Sequence, residues 1–290
     1  MFIYNYTNNN NFLFLRNDSN IEDISKNRQQ KIPKIIHYCW FGPKPLGPLE
    51  KKCIESWKKY LPDYQIMEWN NSHLHLIDIP YVKKAYENGR YAFVADVFRL
   101  YALKKYGGIY FDTDTEVFKN LDEFLYLDFF CEFENWNGQV GPAMTPLGAV
   151  PNHPIINDLY RSYLKSEFLY NDYTSINMRF KRYLAYEYDL KNYTGKKTVE
   201  LTKGSKIFPY YYFINYKKGK SYAVHHYRAS WQPYLQPRIK PLMLYKDKQI
   251  GLYRKINKMS DEFIWNRPEK IIFKIRITKN IYIVFTEYNY

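Results

Sequence analysis

The sequence predicts an α/β fold, and three observations carry that prediction. Short runs rich in β-branched and aromatic residues alternate with longer helical patterns between residues 33 and 227. Glycine and proline mark the boundaries between these runs. At 290 residues the chain is long enough to bury a substantial core, in one large domain or in one domain with appendages.

The predicted elements follow in chain order. Strands are predicted at residues 33–41, 64–69, 109–111, 128–133, 197–202, 207–213 and 222–227. Helices are predicted at residues 49–60, 80–88, 91–106, 154–168 and 173–188. Two segments rich in Gly and Pro, 42–48 and 134–151, are predicted to be loops. Residues 1–30 are Asn-rich and predict an irregular arm, and the tail from residue 234 alternates apolar with basic residues, which indicates late strands or a surface-docking hairpin.

The helix at 91–106 carries an unexpected pair of charges. Phe93, Val97, Leu100 and Lys104 recur at i, i+4, i+7 and i+11, which predicts an amphipathic helix, and Gly107 is a natural C-cap. Asp96 and Arg99 are three residues apart on this otherwise apolar segment. They form either a surface ion pair, worth about 0.2–0.5 kcal/mol, or a carboxylate and a guanidinium directed at a polar ligand.

Two carboxylates, Asp112 and Asp114, follow the next strand directly. Alternate residues of an extended chain point the same way, so both side chains can face one point at the strand end. Such a pair suits a hard divalent cation whose other ligands are phosphate and water oxygens. Asp and Thr are also ordinary turn residues, and a solvated turn is the alternative when Asp-x-Asp is considered alone.

The whole pattern resembles a known family of transferases. Ala95-Asp96-x-x-Arg99, seven residues, then Gly107-Gly108-x-Tyr110-x-Asp112-x-Asp114 is similar to the sugar-binding region of DXD-containing glycosyltransferases. Glycosyltransferase family 32 is the nearest resemblance, and the large clostridial glucosylating toxins share the same core spacing. Residues 32–42 resemble the first strand of that family, and residues 225–231 resemble its C-terminal His-to-Trp segment, so the resemblance spans about residues 31–233.

The resemblance implies a GT-A fold, which is Rossmann-like with a mixed central sheet and here with added C-terminal elements. It divides the chain into an N-terminal arm (1–30), a catalytic domain (31–233) and a basic C-terminal extension packed on that domain (234–290). It implies a metal-dependent, retaining transfer of a hexose from a UDP- or GDP-sugar, with Mn²⁺ or Mg²⁺. The acceptor is expected to be a glycan or a lipid-linked glycan, as in surface polysaccharide or glycoconjugate synthesis.

The same resemblance assigns roles to individual residues. Asp114 is expected to bind the metal. Asp112 is expected to bind the donor sugar or ribose and to contact the metal through a water molecule. Asp96 and Arg99 are expected to bind the sugar hydroxyls. Tyr38 and Tyr110 are expected to contact the donor. Trp40 is expected to stack on the base, although it could equally be a core tryptophan.

The C-terminal segment completes the expected site. His226 is expected to be the third metal ligand, with His225 as its competitor, and a packed or hydrogen-bonded histidine is the alternative for both. Ser230 and Trp231 are expected to cap the diphosphate on a loop that excludes water.

No nucleophile is evident in the sequence. Glu134 and Asp172 are loose candidates for a covalent route, and front-face attack assisted by the leaving phosphate is favoured. A hydrolase with paired carboxylates is weakened because Asp112 and Asp114 are too close along the chain to flank a glycosidic bond.

Charge and composition limit the setting without choosing the partner. The net charge is +14, with most of the excess between residues 179 and 274, which suits anionic lipid, an acidic glycan or nucleotide, or nucleic acid. Every position of the central motif is filled, which disfavours a nucleic-acid or membrane-surface protein with a decayed site, and no nucleic-acid partner is expected. An effector enzyme that glycosylates a protein remains an alternative.

The three cysteines, Cys39, Cys53 and Cys131, have no metal-ligand spacing and predict buried, reduced thiols. No signal peptide or membrane span is predicted, so we expect a cytoplasmic protein, with peripheral contact to an anionic membrane as a further expectation.

Overall fold

The computed structural model describes residues 29–136, 139–169 and 174–227, together with the backbone of four later strands between 244 and 287. Two of the predicted strands lie side by side in parallel, β1 (Ile35–Trp40) and β2 (Gln65–Asn70). The third, β3 (Gly108–Tyr110), pairs in parallel with the other side of β1. The crossovers are helical, as parallel pairing requires.

These strands belong to a mixed seven-stranded sheet with β5 (Phe129–Trp136), β6 (Gln139–Ala149), β7 (Val199–Thr202) and β8 (Ser205–Phe208). The strand order is β2-β1-β3-β6-β5-β8-β7. Within it, β3 and β6 are antiparallel, whereas β5 and β8 are parallel. The α/β prediction with a mixed central sheet is therefore confirmed. The other α-helices and strands before residue 228 are α1 (Pro48–Tyr60), α2 (Pro80–Glu87), α3 (Tyr91–Tyr106), β4 (Thr115–Val117), α4 (Pro154–Leu164), α5 (Ile176–Glu187) and β9 (Ala223–His225).

Helix α3 has the predicted bounds but a different environment. The prediction that this helix is amphipathic is wrong, because residues on all of its sides are buried between Phe93 and Leu103. A helix that is apolar nearly all round lies inside the fold and not on its surface. Gly107 ends it with a φ of 64°, so the predicted C-cap is confirmed. Gly108 has a φ of 106°, and a Cβ there would lie 2.6 Å from the carbonyl oxygen of Ile35, so the glycine pair lets β3 enter the sheet beside β1.

The predicted loop at 134–151 is wrong. Strand β5 continues to Trp136, and residues 139–149 form β6, which lies between β3 and β5 in the sheet. Glycine is required there because a Cβ on Gly148 would fall 2.0 Å from the ring of Phe130, directly opposite. Pro146 falls where the β5–β6 register shifts, and such irregularities accommodate a residue that cannot donate a ladder hydrogen bond.

A buried aromatic cluster supports the chain around Asp112 and Asp114. The indole of Trp57 on α1 is fully buried, lies 5.3 Å from the Phe111 ring, and donates from Nε1 to the carbonyl oxygen of Thr115 at 2.7 Å. Both ends of the 111–115 segment are thereby fixed to the core. Burial of a side chain as large as Trp57 contributes about 2–3 kcal/mol, which makes this a firm support for the residues between.

A separate two-stranded ladder joins distant parts of the chain at the same place. Strand β4 pairs with β9 in antiparallel register, with Thr115 opposite His225. The strand predicted at 207–213 ends earlier, since β8 stops at Phe208 and residues 210–214 form turns. This turn leads the chain back to β9 and beside β4.

The chain divides into two compact units, Met1–Arg228 and Ala229–Tyr290. In the second, β10 (Leu244–Tyr245), β11 (Lys248–Arg254), β12 (Lys270–Thr278) and β13 (Ile281–Glu287) form an antiparallel sheet in the order β10-β11-β13-β12. The predicted arm lies almost wholly outside the described residues. Cys39, Cys53 and Cys131 are buried and free, as predicted. Among the described helices, none has the length and apolar character to cross a bilayer.

Candidate active site

Asp112 and Asp114 converge through a turn. Strand β3 ends at Tyr110, and the N–H of Thr115 donates to the carbonyl oxygen of Asp112 at 3.0 Å, which closes a turn around both carboxylates. The N–H of Asp112 donates to Oγ1 of Thr145 on β6 at 2.9 Å. The expectation that strand alternation aligns the two side chains is therefore wrong, but the convergence it predicted is present.

His225 is the side chain on which the two carboxylates converge. Its Nε2 lies 3.0 Å from Oδ1 of Asp114 and 4.0 Å from Oδ2 of Asp112. Burial lowers the pKa of His225. The hydrogen bond to Asp114 and the charges of Asp114 and Asp112 raise this pKa by more than burial lowers it, so the net shift is upward. The two carboxylates thus create a local field that favours a cation.

His226 faces elsewhere. Its Nε2 lies 3.0 Å from Oε2 of Glu116, which also accepts from Nζ of Lys52 at 2.9 Å. Successive residues of an extended chain point to opposite sides, so only one of the two histidines can face Asp114. The structure thus brings His225 to the carboxylates and leaves His226 in a surface contact. Ser230 and Trp231 lie outside the described residues.

Asp96 and Arg99 form a buried network and not a surface pair. Both side chains are only 8% exposed, and Nη2 of Arg99 lies 3.1 Å from Oδ1 of Asp96 and 3.2 Å from Oδ1 of Asp112. Nη1 of Arg99 donates to the carbonyl oxygen of Met144 at 2.9 Å. One guanidinium therefore joins helix α3, the Asp112 turn and strand β6.

The second oxygen of Asp96 is also engaged. Oδ2 accepts from the N–H of Ile176, the first residue of α5, at 3.1 Å. Burial raises the pKa of Asp96 to about 6, although Arg99 and the Ile176 N–H both lower it. A carboxylate here stabilises a helix N-terminus as well as the guanidinium.

Tyr110 supports Asp112 from below. Its hydroxyl donates to Oδ1 of Asp112 at 3.2 Å, and the Arg99 guanidinium carbon lies 4.3 Å from its ring centroid. The side chain is 1% exposed. In this arrangement Tyr110 fixes the carboxylate.

Tyr38 and Trp40 lie at the end of β1 with different surroundings. Tyr38 is buried, donates to Oε2 of Glu68 at 2.6 Å and packs edge-on against Trp57. Trp40 is half-buried, packs partly on the core, and donates from Nε1 to the carbonyl oxygen of Lys44 at 2.7 Å. The indole is held by a hydrogen bond at its edge, and stacking of Trp40 on a base stays a prediction.

Several contributors were missed from the sequence. Thr145 and Met144 come from β6, the segment predicted as a loop, and no periodic signal pointed to them. Asn177 at the start of α5 accepts from the N–H of Met144 at 3.1 Å and donates to Oε1 of Glu134 at 3.1 Å. The side chain of Asn177 thus joins the first turn of α5 to both β5 and β6.

Comparison with known proteins identifies the region around this site. Residues 47–130 match the family described as "glycosyltransferase sugar-binding region containing DXD motif". Residues 47–130 are thus similar to a glycosyltransferase sugar-binding region. Asp96, Arg99, Asp112 and Asp114 all fall inside it.

Curated proteins similar to this chain include fungal and viral proteins. An inositol phosphoceramide mannosyltransferase of Schizosaccharomyces pombe is 28% identical over 51% of this chain and 42% of its own length. An uncharacterized glycosyltransferase of Acanthamoeba polyphaga mimivirus is 27% identical over 71% of this chain and 86% of its own. A mannosyl phosphorylinositol ceramide synthase of Saccharomyces cerevisiae is 29% identical over 44% of this chain and 33% of its own. The chain thus spans less than half the length of the two yeast relatives.

Among solved structures, the PaToxG glycosyltransferase superposes with a TM-score of 0.42 at 21% sequence identity, over 55% of this chain and 70% of that one.

The donor set at this site fits a divalent cation whose coordination sphere is completed by a substrate. Within the residues described, no group of three or more His, Cys, Asp or Glu side chains is arranged to hold a metal ion by itself. The imidazole of His225 nevertheless lies 3.0 Å from an Asp114 oxygen and 4.0 Å from an Asp112 oxygen, and such oxygen and nitrogen donors suit Mn²⁺. Phosphate oxygens and water would supply the other ligands.

Proposed function

We propose that this chain transfers a hexose from a UDP- or GDP-sugar to a hydroxyl of a glycan or lipid-linked glycan, with Mn²⁺ or Mg²⁺ and with retention of configuration. The observation that carries the proposal is the convergence of His225 on Asp112 and Asp114, two carboxylates that fall inside the matched sugar-binding region. A divalent cation held there would stabilise the charge that develops on the leaving diphosphate.

The charges of the site explain why such a cation is needed. Asp96 and Asp112 share a single buried guanidinium, that of Arg99, and Asp114 adds a further carboxylate beside His225, so a diphosphate brought to the Asp112 turn would meet excess negative charge. Like charges at such distances repel strongly in a partly buried site. Asp114 and His225 would hold the cation, with Asp112 contacting it directly or through water; His225 takes the role first predicted for His226.

The remaining residues would bind and orient the donor. Arg99 fixes Asp112 and can offer its Nε, which is buried and has no hydrogen-bond partner among the described residues, to a sugar hydroxyl. Asp96 holds that guanidinium in place. Trp40 is proposed to stack on the base, while the expected capping of the diphosphate by Ser230 and Trp231 stays a prediction outside the described residues.

The route to retention depends on whether a carboxylate reaches the anomeric carbon. Glu134 is held by Asn177 and lies close enough to His225 and Asp112 for their charges to act on its pKa, which burial raises. We favour front-face attack, in which Glu134 contacts the substrate without forming a bond. Asp172 lies outside the described residues. Because Asp112 and Asp114 both face His225, they cannot flank a glycosidic bond as a hydrolase pair does.

The acceptor proposal draws on the relatives. The yeast proteins are named for mannosyl transfer to inositol phosphoceramide, so mannose donors and phosphoinositol lipids should be tested first. Cytoplasmic location and contact with an anionic membrane stay predictions.

A donor screen tests the proposal. The protein is incubated with Mn²⁺ and each of a panel of UDP- and GDP-sugars, and release of nucleotide diphosphate is measured with and without acceptor. One donor should give slow metal-dependent hydrolysis that a suitable acceptor accelerates. If no donor is consumed and no nucleotide binds in the presence of Mn²⁺, the proposed function is wrong.

A further inference from the structure

The position of His225 depends on a turn that lies outside the DXD region. The N–H of His225 donates to the carbonyl oxygen of Ile214 at 3.1 Å, and the N–H of Tyr222 donates to the carbonyl oxygen of Tyr212 at 2.7 Å. Both acceptors belong to residues 209–215, which we call the 209–215 turn. Strand β9 is therefore held by β4 along one edge and by this turn along the other.

The 209–215 turn is itself fixed to strand β5 by a buried carboxyl group. Glu132 on β5 is 0% exposed, and its Oε2 accepts from the N–H of Phe213 at 2.9 Å. Its Oε1 is buried and has no hydrogen-bond partner among the described residues. Burial raises the pKa of Glu132 well above its usual range, against the lowering effect of the Phe213 and Tyr212 N–H groups. A buried polar group of this kind is costly, so its retention calls for an explanation.

A second residue fastens the same turn to the same strand. Asn215 accepts the N–H of Asn135 on its Oδ1 at 3.3 Å and donates from Nδ2 to the carbonyl oxygen of Asn135 at 3.2 Å. Its own N–H donates to the carbonyl oxygen of Tyr210 at 2.9 Å, which closes the turn. The turn is thus attached to β5 at two points, Glu132 and Asn135.

We propose that Glu132 and Asn215 are positioning residues that set the place of His225 against Asp112 and Asp114 through the 209–215 turn. This inference rests on the proposed function, because His225 is there taken as a cation ligand. Through its backbone hydrogen bonds the turn holds the imidazole where both carboxylates can share a cation with it. Removal of the outer groups that orient metal-binding side chains typically lowers metal affinity by about 10–100-fold.

The test measures binding of Mn²⁺ alone, by the electron paramagnetic resonance signal of the free ion, and unfolding temperature in parallel. Glu132→Ala and Asn215→Ala should each weaken Mn²⁺ binding by about tenfold or more. Glu132→Gln should bind Mn²⁺ about as well as the wild type, because the glutamine side-chain oxygen can still accept the hydrogen bond from the Phe213 N–H. Leu184→Ala, at a fully buried position of α5, is the control that lowers stability without touching the turn.

The outcomes separate the two proposals. If the wild-type chain binds no Mn²⁺ and consumes no donor, the proposed function is wrong and this inference falls with it. If the wild type binds Mn²⁺ but both alanine variants match it, the positioning role alone is wrong. The positioning role is also wrong if Leu184→Ala weakens binding as much as Asn215→Ala at an equal loss of unfolding temperature. Asn215 is half-buried, so its variant should fold even if Glu132→Ala does not.

Discussion

Replacing Arg99 by lysine keeps the positive charge but removes the planar guanidinium, whose two terminal nitrogens contact three partners. The guanidinium reaches Asp96, Asp112 and the Met144 carbonyl oxygen at 3.1, 3.2 and 2.9 Å from two nitrogen atoms. An ammonium is a single point of charge and cannot hold all three partners. We expect about two charge-assisted hydrogen bonds to be lost, at roughly 1.5–3 kcal/mol each before relaxation.

After relaxation we expect Arg99→Lys to lower the free energy of unfolding by about 3 kcal/mol, because it leaves carboxylates buried without full compensation. For a domain of this size that corresponds to roughly 6–12 °C in Tm. The catalytic loss should be larger. Freeing Asp112 from Arg99 allows its carboxylate to shift, and a displacement of about 1 Å can cost on the order of 100-fold in kcat/KM.

The assay measures nucleotide diphosphate release and thermal unfolding for the same preparation. Arg161→Lys is the matched control, since Arg161 also forms an i,i+3 ion pair with an aspartate at 3.2 Å but is 68% exposed. That variant should change Tm by less than about 2 °C, as exposed pairs contribute little. If Arg99→Lys keeps kcat/KM within twofold and matches Arg161→Lys in Tm, the network is not what orders the site.

Three further predictions concern the metal, pH and the sheet. His225→Ala should abolish Mn²⁺-dependent turnover and His226→Ala should leave most of it, since only the former contacts Asp114; equal losses would contradict the assignment. Burial lowers the pKa of His37 to about 4 in the folded protein. As the pH falls below about 6.5, this histidine takes up a proton in the unfolded chain before it does so in the folded one. The free energy of unfolding should therefore decrease by about 3 kcal/mol between about pH 6.5 and pH 4. Denaturant titrations should show a shallower fall in His37→Asn. Gly148→Ala should lower Tm by several degrees because its Cβ would meet Phe130, and an unchanged Tm would be inconsistent with the β5–β6 register.

The sequence predicted the helices well because their signals are local. Helix α3 has the bounds that apolar spacing and Gly107 indicated. Its burial could not be read in the same way, since the neighbours that cover it come from distant segments. For the same reason Asp96 and Arg99 could be paired by spacing, but only packing distinguishes a buried pair from a solvated one.

The missed features depend on long-range pairing. Strand β6 was hidden by Gly141, Pro142, Pro146 and Gly148, which favour loops locally and are tolerated here by a close ring contact and a register shift. The choice between His225 and His226 is set by the pairing of Thr115 with His225, two residues 110 positions apart. A one-residue slip exchanges the two faces of a strand, and no local pattern fixes the register of so short a strand.

Asp112, Asp114 and His225 are proposed to hold a divalent cation that carries the donor diphosphate, and one crystal structure would test this assignment. The crystal contains Mn²⁺ and the nucleotide diphosphate identified by the donor screen, and Mn²⁺ is located by anomalous scattering. We expect a peak within about 2.5 Å of an Asp114 oxygen and of His225 Nε2, bridging to phosphate oxygens. A peak more than about 6 Å from both Asp112 and Asp114, beyond any direct or water-bridged contact, would contradict the assignment.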